Sequence, residues 1–204
     1  MGLKPQDVRR WTRGSGPTLP LWNAYFQELN DSSEISFLDL IEVRVVSSLR
    51  RNGISIQAIR FAIQYAQQQF NIDRPLATLR FKTDGKEILI DAIEEDGELT
   101  SLNPRRAGQK VFNKIVQQSL IDLEFENERP VRWKPKNARS VVIDPERVFG
   151  SPILDEYGIS TRVIYDEYLS YKNLNYLSNI YEVPKNILQN AINFERSLDG
   201  QSPA

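Results

Sequence analysis

At 204 residues, with 40% hydrophobic and 26% charged side chains and a net charge of −1, the chain has the make-up of a folded protein of one large domain or two to three small ones. It contains neither Cys nor His, which excludes disulfides, thiol nucleophiles, Ser-His-Asp triads and zinc sites built on those ligands. No apolar run approaches the ~20 residues that span a bilayer, and no basic-then-apolar leader opens the chain, so the cytoplasm is the default location.

The glycines are scattered singly and form no phosphate-cradling loop. The carboxylates fall mostly in amphipathic or turn-like stretches, where a solvated face is the plainer reading. An enzyme is therefore disfavoured, and no catalytic residue, metal ligand or cofactor is assigned. Charge is uneven along the chain: residues 1–60 carry +2, residues 61–139 carry +1 and residues 140–204 carry −4. A phosphate-facing surface belongs near the N-terminus on this count. The acidic C-terminal part suits a basic protein partner.

The first predicted helix opens at Pro5, whose missing N–H is harmless there, with Asp7 in its first turn and Gly14 as its stop. Val8 and Trp11 share one face, and Arg9, Arg10 and Arg13 leave it. Those guanidinium groups could meet phosphates and guanine edges, or could simply be solvated. Residues 15–35 are rich in Pro, Ser and Asn around Leu19, Leu21, Trp22, Tyr25 and Phe26, which reads as a loop or a small two-stranded wing. Ser36-Phe37-Leu38-Asp39 is a capping-box variant opening a helix to about Asn52, with Phe37, Leu40, Ile41, Val45 and Leu49 as its apolar stripe. Gly53 stops it, and Ser55 caps a second helix buried through Ile56, Ile59, Ile63, Ala66 and Phe70. Arg44, Arg50, Arg51 and Arg60 fall on the polar sides, and the short connection predicts a tight helix pair.

Beyond this pair the period shifts. Asp84-Gly85 between Leu79, Phe81 and Ile88-Leu89-Ile90, and a second turn at Asp96-Gly97, predict a small antiparallel meander over 77–102. A helix from Ala107 to Gln118 and strands at Ile121–Phe125 and Val131–Trp133 are predicted to follow. Asp144-Pro145 and Gly150 to Pro152 are turn chemistry. Helices are predicted near 162–170, 174–181 and 184–197, the last started by Pro184. Lys185, Asn186 and Gln189 lie on its polar side, as a base-reading face or as ordinary surface. Such a three-helix unit is a scaffold for binding DNA or a protein, with little room for a catalytic pocket.

In their order along the chain, several segments resemble a known family. They are VRRWTRG (8–14), ISFLDLIEVRVVSSLRRNGISIQAIRFAI (35–63), FKTDGKEI (81–88), RWKP (132–135), IDPERVFGSPI (143–153), Gly158, Thr161 and the AINFE ending at Glu195. The chain resembles VapB-like antitoxins of bacterial type II toxin–antitoxin systems. These combine a MerR-like helix-turn-helix N-terminal region with a C-terminal antitoxin domain long catalogued as of unknown function. The resemblance implies a PIN-like ribonuclease toxin as partner, neutralised by direct binding, and repression of the chain's own operon by binding operator DNA as a homodimer. It further implies DNA contact by Lys4, Arg9, Arg10 and Arg13, with Lys185, Asn186 and Gln189 as further candidates. Asp155, Glu156, Asp166 and Glu167 are the acidic residues suited to a basic toxin groove, the alternative being plain solubility. A MerR-like winged helix opens with a bracing helix, whereas only Met1 to Lys4 precede Pro5 here, so the matching N-terminal region is expected to be truncated.

The expected fold is α+β: a helical, winged-helix-like region over 1–75, a central antiparallel sheet with one helix over 76–139, and a three-helix, helix-turn-helix-like unit over 140–204. The competing functional reading is an interaction or oligomerisation module that never touches DNA.

Overall fold

A computed structural model describes residues 3–26, 34–96 and 109–199. The chain is α+β and divides into two compact units, one of residues 1–121 with 127–130 and the other of residues 122–126 with 131–204. No helix among the described residues is long and apolar enough to cross a membrane.

The first unit is helical. α1 (Pro5–Arg13) has Pro5 at its start and Asp7 in its first turn, as the sequence predicts. It stops at Gly14, whose φ is +77° and whose added Cβ would meet the Thr18 carbonyl oxygen at 2.5 Å. Both the dihedral and the close approach require glycine there. Trp11 is buried, and the Leu21 N–H donates to its carbonyl at 2.8 Å. The stretch after Gly14 is a loop with a single bridge between Ser15 and Thr18. Leu21 and Trp22 are buried as expected, but Leu19 and Tyr25 are exposed. The rest of the expected wing, residues 27–33, lies outside the described residues.

α2 (Phe37–Arg51) begins with the reciprocal capping box between Ser36 and Asp39. α3 (Ile56–Phe70) begins with the Ser55 hydroxyl accepting from the Ala58 N–H at 2.9 Å. Ile41, Val45 and Leu49 of α2 and Ile59, Ile63 and Ala66 of α3 are fully buried, the stripes the periodicity predicts.

The meander expected at 77–102 is not formed over its described part. Leu79–Asp96 is one helix, α4. Thr78 starts it, its hydroxyl accepting from the Phe81 N–H at 3.1 Å. Phe81, Gly85, Ile88 and Leu89 recur at helical spacing and are buried. Asp84-Gly85 is no turn: a Cβ on Gly85 would lie 2.9 Å from the Phe81 ring, so the glycine makes room for a core aromatic. Gly97 and the residues to 102 lie outside the described residues, as do Ala107 and Gly108. α5 (Gln109–Leu120) follows, and α4 packs against both α3 and α5.

β1 (Leu123–Glu126) and β2 (Arg129–Trp133) form a two-stranded sheet close to the predicted positions. β3 (Val141–Val142), β4 (Ile153–Leu154) and β5 (Ile159–Ser160) form an antiparallel sheet in that order, with Val141 opposite Leu154 and Ile153 opposite Ser160. Trp133 and Ile143 exchange two backbone hydrogen bonds of 2.9 Å, tying β2 to the start of this part. α6 (Thr161–Tyr171), α7 (Leu174–Tyr181) and α8 (Lys185–Leu198) are the three predicted helices. Their core holds Ile164, Tyr165, Leu177, Leu188 and Ile192, closed over Leu154.

Candidate interaction site

The N-terminal candidates sit on α1 or, in the case of Lys4, just before it. Lys4, Arg9 and Arg10 are exposed and Arg13 is half-buried. Arg10 donates to Asp7 at 3.0 Å, so its guanidinium is shared with a neighbouring carboxylate. The helix is held by Trp11 in the core and by a loop pinned from behind. Arg60 of α3 donates to the Pro20 and Leu19 carbonyls, both at 2.7 Å. Arg50, Arg51 and Arg60, on the polar sides of the helix pair, therefore act as internal ties. Arg50 closes the α2–α3 turn by donating to the Ile54 carbonyl at 2.6 Å, and Arg51 donates to the Ser47 hydroxyl at 3.1 Å.

Sequence reasoning missed the polar centre of this unit. Asp39 is buried and accepts from the Trp22 indole N–H at 2.8 Å, the Tyr25 N–H at 3.2 Å, the Ser36 hydroxyl at 2.7 Å and the Arg74 guanidinium. Burial pushes its carboxyl pKa up, but the hydrogen bonds from Ser36 and Trp22 and the Arg74 charge outweigh this and hold it below the usual value. Arg74 also donates to the Asn23 carbonyl at 2.7 Å, so one ion pair locks the 19–26 loop to α2. Glu42 lies one turn further along α2 with no exposed surface, and one carboxyl oxygen accepts from the Ala77 N–H at 3.1 Å. Burial pushes its pKa up to about 8, so its protonated form predominates at pH 7. A carboxylate amid Ile41, Val43, Val45 and Val46 was the available signal.

The four acidic candidates of the second unit do not share one environment. Asp155 pairs with Arg147 at 2.9 Å and Lys134 at 3.2 Å. Burial raises its pKa, yet these two cations win and hold it below the usual value. Lys134 also reaches Glu124 at 2.7 Å, and Arg132 reaches Asp144 at 2.9 Å. The RWKP and IDPER segments thus meet in a charge network that braces β2 against the β3–β4 connection. Glu156 is exposed, and Asp166 pairs with Arg162 at 3.0 Å. Glu167 makes no ion pair among the described residues. Thr161 and Glu195 come together as a buckle: the Thr161 hydroxyl at the start of α6 donates to the buried Glu195 carboxylate of α8.

α7 and α8 are joined by three residues, with Glu182 left-handed at φ +55° as the C-cap of α7. Lys185 and Asn186 are exposed in the first turn of α8, where free N–H groups and the helix dipole favour an anion. Gln189 is half-buried and its amide donates to Asn193 at 2.9 Å. Between β3 and β4, Val148 and Phe149 both have positive φ, +46° and +54°, and Phe149 is fully exposed.

No family model matches the chain. It is 27% identical over 150 residues to a Mycobacterium tuberculosis protein named "Putative antitoxin VapB45", over 69% of this chain and 62% of that protein. The chain thus matches over somewhat less than two thirds of that relative's length. It shares a fold with the crystal structure of Rv2018 from Mycobacterium tuberculosis, with a TM-score of 0.67 over 85% of each chain at 22% identity.

Proposed function

We propose that this chain is an antitoxin that binds and neutralises a PIN-like ribonuclease toxin and represses its own operon by binding operator DNA as a homodimer. The observation that carries the reading is the similarity to a protein named as an antitoxin, 27% identical over 150 residues. Local geometry is consistent with it. The net −4 of residues 140–204 suits a basic partner, and Glu156 and Glu167 are the acidic candidates with no ion pair among the described residues. Lys185 and Asn186 at the head of α8, Lys4 just before α1 and Arg9 on it are the exposed groups for phosphate and base contact. Gln189 would have to leave Asn193 to read a base.

The reading is tested by mixing the purified chain with the purified product of the adjacent reading frame and following ribonuclease activity. Inhibition at equimolar chain is expected, and activity that persists at excess chain refutes it. Titrating promoter DNA across a salt series tests the second role. Affinity that falls steeply with salt, and less steeply in Arg9→Ala, is expected; no affinity at low salt removes the operator from the account.

A second reading, a protein-interaction module that leaves DNA alone, is favoured by the sequestration of Arg10 on Asp7 and Gln189 on Asn193. It predicts toxin inhibition with no salt-dependent DNA binding.

A further inference from the structure

α6 carries Val163, Glu167 and Tyr171 at intervals of four, hence on one face. Tyr176 and Ile180 recur at the same interval on α7, which packs against α6. The Tyr171 and Tyr176 rings meet with centroids 4.8 Å apart and planes tilted by 45°. Val163, Tyr171, Tyr176 and Ile180 are all exposed, although they are large apolar or aromatic side chains. Partial desolvation first, and the nearby Glu167 and tyrosines next, raise the pKa of the Tyr181 and Tyr176 hydroxyls. The raised values keep the Tyr176 and Tyr181 hydroxyls neutral at pH 7, and Glu167 is the acidic residue of the group.

The contrast with the neighbouring tyrosines is informative. Arg162 lies over the Tyr165 ring at 5.8 Å, and Lys172 and Arg196 each lie 5.7 Å from the Tyr168 ring. Asp166 has Arg162 as its cation. Among the described residues, no arginine or lysine covers Tyr171, Tyr176 or Tyr181, and Glu167 makes no ion pair. Aromatic rings near a carboxylate are surroundings that arginine favours at protein interfaces, through cation–π contact and a charge-assisted hydrogen bond. The surplus of acidic residues in 140–204 would draw such a partner in.

We infer that the α6–α7 face formed by Glu167, Tyr171, Tyr176 and Tyr181 is a docking surface for an arginine side chain of a basic protein partner. Glu167 accepts from the guanidinium, the phenol rings flank it, and Val163 and Ile180 supply an apolar rim. The identity of that partner as the toxin rests on the antitoxin reading; the chemistry of the surface does not.

The test uses the full chain and two capped peptides, one alternating glycine with arginine and one alternating glycine with glutamine, titrated by calorimetry at low salt. The arginine peptide is expected to bind and the glutamine peptide not. Glu167→Gln and Tyr176→Ala should each weaken binding about five-fold or more, while Glu146→Gln and Asp199→Asn, which remove equal charge elsewhere, should change it less than about two-fold. Equal weakening by all three charge-removing variants, or no binding of the arginine peptide, overturns the inference. Glu167→Gln is nearly isosteric and half-exposed, and an unchanged melting temperature shows that the fold is intact. Pull-down of the adjacent toxin separates the two claims. If wild type captures it and both patch variants do so equally, the surface is wrong and the antitoxin reading stands. If wild type captures none while the peptide pattern holds, the antitoxin reading fails and the surface stands.

Discussion

Replacing Glu42 by Gln should stabilise the protein at alkaline pH and remove much of its pH dependence. Glu42 has no exposed surface, and burial moves its pKa from 4.5 to about 8. Arg74 opposes this rise and Asp39 adds to it. The folded state thus keeps a proton that the unfolded chain has lost. Its contribution to stability is fully present below pH 4.5, declines by ~1.4 kcal/mol per unit as pH rises, and is gone above about 8. Between pH 5 and 8 this one group should reduce unfolding free energy by about 3.5 kcal/mol. Gln keeps an oxygen to accept from the Ala77 N–H, now 3.1 Å away, and carries no proton to lose. Urea unfolding at pH 5 and pH 8, followed by tryptophan fluorescence, measures the difference. Wild type should lose the greater part of that 3.5 kcal/mol and Glu42→Gln should stay nearly level. Parallel pH profiles for the two proteins, or a variant less stable than wild type at pH 8, would refute the burial argument.

Five further substitutions, one of them in combination, probe the frame. Asp39→Ala leaves Arg74 and the Trp22 indole without their shared acceptor and should destabilise by about 3–5 kcal/mol, read as a lower urea midpoint. Gly85→Ala should destabilise by about 1–3 kcal/mol despite alanine's better helix propensity, because its methyl meets the immobile Phe81 ring. Combining it with Phe81→Leu should recover part of that loss in the thermal midpoint. Val148→Gly should raise stability by about 1 kcal/mol in thermal unfolding, since a β-branched residue at φ +46° is strained. Thr161→Val should lower it by about 1–3 kcal/mol by leaving the buried Glu195 carboxylate without its hydroxyl donor.

What the sequence makes legible is what neighbouring residues decide. Pro5 and Gly14 bound α1, Ser36 with Asp39 and Ser55 open α2 and α3, and the apolar stripes of both helices are where their period places them. Asp84-Gly85 misleads for the complementary reason. As a dipeptide it signals a hairpin, but Gly85 answers to the Phe81 ring, and Thr78 has already committed the segment to a helix. The polar residues fail to announce themselves because their partners are remote in sequence. Arg60 reads as a solvated side chain until the Leu19 and Pro20 carbonyls, some forty residues away, come to it. Asp39 reads as a capping residue, yet Trp22 and Arg74 make it the hub of its unit. Asp155 looks like a free surface acid and is a structural anion between Lys134 and Arg147. Glu167 differs from it only in what the fold leaves beside it.

Co-expression of this chain with the adjacent reading frame, scoring growth and co-purification together, tests the antitoxin reading most directly. The account predicts that expressing the neighbour alone arrests growth, that the chain restores it, and that the two co-purify as a stable complex. Arrest that persists in the presence of abundant folded chain, with no complex recovered, would contradict it.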